Sequence, residues 1–412
     1  MVLWAHPILL TGLRMPILFL VIFVVMAGFA MLLPSLMYVL ENLGASKALA
    51  TPVLASYSFA QFVSGPIWGR WSDRLGRRPI ILVSLCLALF AYGFLAFVAD
   101  SVLLIFVGLT CAGLCAGNSA VLFAAVTDLT TEENRTKGMG VIGAGIGLAF
   151  TIGPGFGAIL GGASDVSANI SAPATASLIG CLLGLIVVAS FFKETLHADH
   201  ALEAERSRVG RIEAIMSVHK RPALMQMGLM MFVFTIALSM MEPIMSYLMR
   251  DRYAWGPPQM GPLFVYVGLI LVVVQGGLIG RLSKRFGEKT LVRAGVVLMQ
   301  LGLLAILYAP VVGGVFVGLT LTTVGGAIFN TSILSLASHR CHSGERGLVM
   351  GVFQSFQALG RSAGPLLTGF FYTIAQGLPF AAGALIMAII LVWSLSLYRR
   401  LEAEPRSASA AE

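Results

Sequence analysis

Long apolar stretches, each close to the length of a membrane-crossing helix, recur along almost the whole chain. A helix needs about 20 mostly apolar residues to cross the hydrocarbon core of a bilayer, and twelve stretches meet this requirement. They lie at 15–40, 50–69, 79–99, 101–127, 138–162, 173–192, 222–249, 260–280, 290–309, 311–337, 347–373 and 377–398. We therefore predict an all-α integral membrane protein with twelve transmembrane helices.

The overall composition excludes a water-soluble globular fold. Hydrophobic residues make up 58% of the chain and charged residues only 11%, whereas soluble domains carry about 25% charged residues. The five cysteines show neither a disulfide pattern nor metal-ligand spacing, so we predict no metal and no other cofactor. No cluster of nucleophile, base and metal ligands suggests an enzyme.

The positions of Lys and Arg predict the orientation, because cytoplasmic loops hold most of these residues. With the N-terminus in the cytoplasm, most of the 27 fall on that side, and the opposite side holds only Lys47, Arg250 and Arg252. Both termini are then cytoplasmic, as an even number of spans requires. The net charge of +8 lies in these short loops, which argues against a nucleic-acid partner.

A polar, charged segment divides the apolar stretches into two sets of six. We interpret residues 193–221 as a cytoplasmic linker between an N-terminal bundle at 1–192 and a C-terminal bundle at 222–398, with a cytoplasmic tail at 399–412. Residues 201–216 of the linker are predicted either to form an amphipathic helix on the inner membrane face or to be a solvated connector.

The two halves repeat one another at an offset of 211 residues. Two separate blocks share this register, which indicates a duplicated six-helix unit with a pseudo-twofold axis and a solute site near the membrane midplane. In the first block, Gly65, Gly69, Arg70, Ser72, Arg74 and Gly76 recur as Gly276, Gly280, Arg281, Ser283, Arg285 and Gly287. In the second block, Arg135, Met139, Gly140, Val141, Gly153 and Pro154 recur as Arg346, Met350, Gly351, Val352, Gly364 and Pro365.

The strongest local motif is GPIWGRWSDRLGRRP at 65–79, the predicted cytoplasmic junction of the second and third spans. Its glycines could allow close helix packing, Asp73 could face a helix N-terminus, and carboxylates or lipid phosphates could hold its arginines. We expect the cluster to act as a latch between the halves. The predicted gating residues are Gly65, Gly69, Asp73, Arg74, Gly76, Arg77, Arg78 and Arg135.

This motif resembles the signature loop of the major facilitator superfamily. The repeat and the predicted spans make the whole chain similar to the drug:proton antiporter branch, which contains tetracycline and multidrug exporters. The resemblance implies that Asp73 pairs with neighbouring arginines and with the N-terminus of the eleventh helix to hold the outward-facing state. Lys284 stands at the equivalent position of the second copy, which implies a one-sided latch.

A second motif, GAGIGLAFTIGPGFGAILGG, occupies 143–162 in the fifth span. Glycines at 143, 147, 153, 157 and 161 leave one face nearly bare and predict a close helix crossing, and Pro154 should bend the helix. The motif resembles the antiporter signature of exporters at Gly153, Pro154 and Gly157, and departs from it at Ala149 and Ala158. The fourth span has Leu109 where proton-coupled relatives place an arginine, so coupling is expected elsewhere.

Two ionisable side chains are predicted well inside the spans, Glu242 in the seventh and Arg361 in the eleventh. A charge at that depth costs about 2.5 to 3.5 kcal/mol on the insertion scale, so such residues usually face a cavity or a partner. Burial disfavours the ionised carboxylate, so Glu242 could carry the coupling proton, pair with a cationic substrate, or be structural. Arg361 could hold an anionic substrate group, pair with Glu242, or be structural.

Neutral polar side chains on helix faces supply further candidates for substrate binding, each equally expected to bond a neighbouring helix. With Arg361, they are Tyr57, Gln61, Asn118, Tyr266, Gln275, Asn330, Gln354 and Gln357.

We predict a secondary active transporter that works by alternating access. The first hypothesis is proton-coupled efflux of amphipathic or drug-like small molecules, with Glu242 as the coupling acid. The alternative is a specific carrier or exporter of one anionic metabolite, siderophore or lipid, held by Arg361. The expected partners are a small-molecule substrate, protons and membrane lipids, and the expected location of the monomer is the bacterial inner membrane.

Overall fold

The computed structural model of this protein describes residues 7–130, 132–164, 166–196, 221–340 and 346–403. Within these ranges, the side chains of 7–12, 132–137, 276–277, 346–348 and 398–403 stay outside the description. Most of the predicted linker, including the stretch at 201–216, and the tail at 404–412 also lie outside the described residues.

Helices account for every regular element in the described ranges, as the apolar pattern predicts. Numbered in chain order, they are α1 (Pro7–Asn42), α2 (Lys47–Leu75), α3 (Arg77–Phe97), α4 (Val102–Ala116), α5 (Ser119–Leu129), α6 (Glu132–Leu160), α7 (Ser171–Phe191), α8 (Pro222–Ser239), α9 (Met241–Tyr253), α10 (Pro257–Val273), α11 (Ile279–Phe286), α12 (Glu288–Tyr308), α13 (Val312–Ser338), α14 (Arg346–Ile374) and α15 (Leu378–Ala403).

Helical structure lies at each of the twelve predicted spans, but three of these spans are interrupted. The fourth divides into α4 and α5 at Gly117 and Asn118, and the seventh divides into α8 and α9 at Met240. The eighth contains a π-helical turn, Val274–Leu278, between α10 and α11. Single π-helical turns inside α-helices are frequent at functional sites.

Nine helical segments in the described ranges are long and apolar enough to cross a membrane, by length and composition. In this count α4 with α5, and α8 with α9, are each one segment. α10 is apolar but shorter, and α2 and α14 do not meet the criterion. The all-helical membrane fold is confirmed, whereas the number twelve stays a prediction. The nine are Leu13–Asn42, Arg77–Phe97, Val102–Leu129, Gly138–Leu160, Ser171–Phe191, Pro222–Tyr253, Glu288–Tyr308, Val312–Ser338 and Leu378–Leu397.

The chain forms two compact units. The first comprises Met1–Ala45, Ser56–Glu205 and Trp255–Val265, and within it α1 packs on α6 and α7 while α3 packs on α4 and α7. The second comprises Ser46–Ala55, Arg206–Ala254 and Tyr266–Glu412, and within it α12 packs on α13 and α15 while α8 packs on α14. Each unit thus takes up one short segment from the other half of the sequence, and the predicted division at 192 and 222 stays a prediction.

The structure repeats at the same interval as the sequence. Both ends of α3 and α12 are separated by 211 residues. Gly76 precedes α3 with a φ of 100°, and Gly287 precedes α12 with a φ of 75°. Only glycine adopts such positive φ values at little cost. The chain therefore makes the same sharp turn into α3 and into α12, and it uses a glycine at each.

Candidate functional site

A buried arginine organises the loop motif of the first unit. Arg77 Nη1 lies 2.6 Å from Asp73 Oδ1, and its Nε lies 2.9 Å from Asp128 Oδ2. The same Nη1 donates a hydrogen bond to Ser72 Oγ at 2.7 Å. The Arg77 side chain is only 8% exposed, so this cationic fork holds two carboxylates in a largely water-free setting. The predicted contact of Asp73 with the eleventh helix stays a prediction.

Sequence reasoning missed Glu194, whose carboxylate caps the N-terminus of α3. Its Oε1 accepts from the backbone N–H of Arg77 at 2.8 Å, of Thr195 at 2.9 Å and of Leu196 at 2.9 Å, and its Oε2 accepts from the N–H of Arg78 at 3.1 Å. Burial alone would raise the pKa of Glu194, but these four donors together lower it below the ordinary value. An acidic residue just after the sixth span was the available signal.

The other residues of the loop motif differ in their surroundings. Arg78 Nη2 donates to the Ala189 carbonyl at 2.8 Å, which ties α3 to the end of α7. A Cβ added at Gly69 would meet nothing within 4 Å, and one at Gly65 would meet only the Gly117 carbonyl at 3.9 Å. The close packing expected at Gly69 is therefore absent. The backbone of α2 does lie close at Gly113 of α4 and at Gly117, where an added Cβ would lie 2.8 Å from the Gly65 nitrogen.

Two further gating candidates lie at the surface or outside the description. Arg74 is exposed on α2. Arg135 belongs to α6, but its side chain lies outside the described residues. Their predicted roles stay predictions.

The second unit carries a carboxylate and an imidazole close together at the positions equivalent to Arg77 and Asp128. Glu288 and His339 stand 211 residues after them, and His339 Nε2 lies 3.5 Å from Glu288 Oε1. Ser335 Oγ also donates to Glu288. The duplication has therefore kept the pairing of these two positions while exchanging the chemistry.

The glycines of the second motif bring α6 against α1. A Cβ at Gly153 would lie 2.9 Å from that of Ala30, and Cβ atoms at Gly157 and Gly161 would collide with Met31 and Ser35. The predicted close crossing is confirmed at these three glycines. It is wrong at 143 and 147, where an added Cβ would meet nothing within 4 Å. Pro154 lies inside α6, which continues on both sides of it.

Glu242 lies in the first turn of α9, directly after the break at Met240. The first backbone N–H groups of a helix have no partner inside the helix, and the helix dipole favours a negative charge there. Pro243 follows, and it tolerates this position because it lacks an N–H. Thr368 Oγ1 donates to the Met240 carbonyl at 3.1 Å, so α14 stabilises the break. The sequence therefore places the carboxyl where a broken helix can hold its charge.

Arg361 lies on α14 opposite this break, and its charge acts on Glu242. The helices approach closely here: Ser239 Oγ donates to the Gly360 carbonyl at 3.1 Å. One turn before Arg361, Gln357 Nε2 donates to Asn330 Oδ1 at 2.6 Å. Within the second unit, the structure thus brings Glu242 and Arg361, the two charges that the sequence placed inside the spans, within electrostatic reach of each other, and both side chains are half-buried.

The neutral candidates of the first unit have partners within that unit. The Tyr57 ring stacks on Phe29 with 3.8 Å between ring centroids. Gln61 Nε2 donates to the Ala116 carbonyl at 3.4 Å, and Asn118 Nδ2 donates to Ser84 Oγ at 2.8 Å. Their predicted role in substrate binding stays a prediction, and these contacts supply a structural reason for each of them.

The remaining candidates of the second unit are Tyr266, Gln275 and Gln354. The Tyr266 hydroxyl and Thr320 Oγ1 lie 2.6 Å apart and share a hydrogen bond. Gln275 lies in the π-helical turn and is exposed, and Gln354 is exposed on α14. Gln354 and Gln357 share a helix face with Arg361 by their spacing of three and seven residues.

A second ionic cluster, which the sequence analysis considered only for topology, joins the start of α2 to the end of α9. Lys47 Nζ lies 2.6 Å from Asp251 Oδ2. The Tyr372 hydroxyl donates to the same oxygen at 2.8 Å, and Gln376 Nε2 donates to it at 3.4 Å. The ammonium also lies 4.8 Å from the ring centroid of Tyr372 and 5.2 Å from that of Tyr247. We call these five residues the outer cluster.

Membrane-crossing helices, an internal duplication and two charged residues inside the predicted spans are typical of a membrane transporter built from two related halves. The described residues contain no group of three His, Cys, Asp or Glu that could hold a metal ion.

The family model of the Major Facilitator Superfamily matches residues 18–365 and again 227–412, so the chain belongs to this family. Its members are transporters of small molecules, which confirms that the chain is not an enzyme. The predicted resemblance is confirmed as well.

Three comparisons place the chain within the family. It is 27% identical over 373 residues to the class H tetracycline resistance protein of Pasteurella multocida, covering 89% of this chain and 91% of that protein. It is 28% identical over 369 residues to major facilitator superfamily domain-containing protein 10 of Mus musculus, covering 83% and 77%. A solved structure of the human organic anion transporter MFSD10 (TETRAN) superposes with a TM-score of 0.71 at 23% identity, covering 93% and 99%, which supports the fold.

Proposed function

We propose that this transporter exports amphipathic, drug-like small molecules in exchange for protons by alternating access, with Glu242 as the coupling acid. The observation that carries the proposal is the placement of Glu242 at a helix break within the electrostatic influence of Arg361. Relatives named for tetracycline resistance favour drug-like substrates.

The chemistry follows from the charges of these two residues. An ionised Glu242 attracts Arg361, and its position in the first turn of α9 lets the helix dipole stabilise the negative charge. A proton on Glu242 removes this attraction and so raises the cost of holding the Arg361 cation inside the membrane. Protonation therefore changes the energy of packing α14 against the α8–α9 break. A cationic substrate would compete with the proton for the same carboxylate, which is the requirement for exchange.

A second candidate function is export of an organic anion. Arg361 supplies a cation inside a span, and Gln354 and Gln357 share its helix face, so a carboxylate or sulfonate could pair there with neighbouring amide donors. The solved relative described as an organic anion transporter favours this candidate. In that case Glu242 would hold Arg361 in place until the anion replaces it.

Gating by the loop motif is part of the proposal. Arg77, with Asp73 and Asp128, would hold α2, α3 and α5 together. The outer cluster would hold the start of α2 against α9 and α14. We further propose that both termini are cytoplasmic and that the transporter works as a monomer in the bacterial inner membrane.

The test uses the full chain in proteoliposomes under an imposed pH gradient, with ethidium as a cationic probe and fluorescein as an anionic probe. We expect Glu242→Gln to reduce gradient-driven ethidium transport at least tenfold while the protein remains folded and inserted. Glu288→Gln is the matched control, because it removes a carboxylate that lies outside the proposed coupling pair, and it should keep the transport.

The two functions give different results. Loss of fluorescein transport in Arg361→Gln, with no ethidium transport by the native chain, would support the anion exporter. Gradient-driven transport that persists in Glu242→Gln would remove Glu242 from the coupling mechanism. Transport of neither probe by the native chain would reject both broad substrate classes.

A further inference from the structure

The predicted cytoplasmic end of α2 presents a basic and aromatic surface that the proposed transport mechanism does not use. Ile67, Arg70, Trp71 and Arg74 line a groove of about 170 Å³. Their spacing of three, four and seven residues places them on one face of the helix, and all four are exposed. We call these four residues the α2 groove.

The arginines of the α2 groove differ from their neighbours in the loop motif. Arg77 and Arg78 bind carboxylates and a backbone carbonyl. Arg70 Nε donates to the Pro66 carbonyl of its own helix at 3.2 Å, and within the described ranges neither Arg70 nor Arg74 forms an ion pair with a carboxylate. Two guanidinium groups one helical turn apart therefore keep donors available for an anion from outside the protein.

An apolar stripe continues from the α2 groove along the helix. Phe59, Val63, Ile67 and Trp71 recur every four residues and are 54%, 42%, 39% and 49% exposed. The opposite face is buried, where Trp68 Nε1 donates to the Leu114 carbonyl at 2.7 Å. The exposed face is thus apolar along the span and basic at its end, which matches the arrangement of acyl chain and headgroup in a phospholipid.

We propose that this face binds an anionic phospholipid, with its phosphate between Arg70 and Arg74 and an acyl chain along Ile67, Val63 and Phe59. Guanidinium groups bind phosphate oxygens through charge-assisted, often bidentate hydrogen bonds. Tryptophan favours the level of the headgroups, where Trp71 would lie. Anionic lipids of the cytoplasmic leaflet attract basic residues next to a membrane helix. A soluble anionic partner would satisfy the arginines but would leave the stripe without an occupant.

The test is native mass spectrometry of the full chain in detergent with added phosphatidylglycerol or phosphatidylcholine of identical acyl chains. We expect the native chain to retain phosphatidylglycerol on the order of tenfold more strongly than phosphatidylcholine. The double variant Arg70→Gln, Arg74→Gln should lose this preference. The variant Arg70→Lys, Arg74→Lys should keep part of it, which separates loss of charge from loss of fold.

The repeat supplies a matched control, because Arg281 and Arg285 stand at the equivalent positions with Leu282 in place of Trp71. Changing both to Gln removes the same net charge and should leave the lipid preference intact. An equal loss in this control would reduce the effect to net charge and overturn the proposal. Displacement of the lipid by inorganic phosphate at millimolar concentration, or an unchanged preference in Arg70→Gln, Arg74→Gln, would also overturn it.

Discussion

Lys47 Nζ lies 2.6 Å from Asp251 Oδ2, and this ion pair joins the first turn of α2 to the last turns of α9. The two residues belong to different halves of the duplicated sequence, yet they lie in the same compact unit. Tyr372 of α14 completes the contact from a third helix. Within the second unit, the pair is therefore a tertiary connection between segments from the two halves of the sequence.

The outer cluster predicts a measurable effect on access to α2. In a background with the five native cysteines replaced by serine, Thr51→Cys should react slowly with a membrane-impermeant maleimide, because Thr51 is buried. Adding Asp251→Asn removes the ion pair and should raise the reaction rate about fivefold, as expected for about 1 kcal/mol. Restoring the slow rate by the exchange Lys47→Asp with Asp251→Lys is the control. An unchanged rate in Asp251→Asn would contradict the connection.

Arg77 should be essential for stability. Arg77→Gln would leave the half-buried carboxylates of Asp73 and Asp128 without their cation, which costs up to about 3 to 5 kcal/mol, the range for removing one partner of a buried pair. Arg77→Lys should recover only part of the loss, since an ammonium cannot reproduce the guanidinium fork. Thermal unfolding in detergent measures the effect. Arg285→Gln, an exposed position, should stay within about 0.5 kcal/mol of the native chain.

A comparison of Gly76→Ala with Gly287→Ala should distinguish the cost of backbone strain from the cost of disturbing the Glu194 cap. Either glycine changed to Ala should cost about 1 to 2 kcal/mol, because both have positive φ. An added Cβ at Gly76 would also enter the space of the Glu194 carboxylate, whereas one at Gly287 would meet nothing within 4 Å. Gly76→Ala should therefore destabilise the protein by about 1 kcal/mol more. Equal losses in the two unfolding midpoints would contradict the capping role.

The contribution of Glu194 should depend on pH. Because its pKa in the folded protein is lowered, the stabilisation is fully present above the ordinary glutamate pKa of about 4.3 and is lost as the pH falls through the lowered value. Glu194→Ala should cost about 0.5 to 2 kcal/mol near neutral pH, and the difference from the native chain should shrink below about pH 4.3. Glu194→Gln keeps one acceptor and should show a smaller loss near neutral pH, which should shrink over the same pH range because only the native side chain titrates. A constant difference between Glu194→Ala and the native chain from pH 7 to pH 3.5 would argue against the cap.

Several features of the site were predictable because they depend on local sequence. The lengths of the apolar stretches predicted the helices, and the interval of 211 residues predicted the equivalence of α3 and α12. Glu242 and Arg361 stood out because a charge within an apolar run is costly wherever the chain folds. Their mutual influence was left open, since two helices far apart in sequence can face any of several neighbours.

The sequence by itself determined which segments are apolar helices, where the chain repeats and which charges fall inside apolar runs, because hydropathy and spacing act along the chain. Only the tertiary structure decided which partners these residues have. Asp128 and Glu194 reach Arg77 and the start of α3 from 51 and 117 residues away, and Asp251 reaches Lys47 across 204. Such pairs depend on helix rotation and packing, and a shift of one residue in either helix turns a side chain by about 100° to another face.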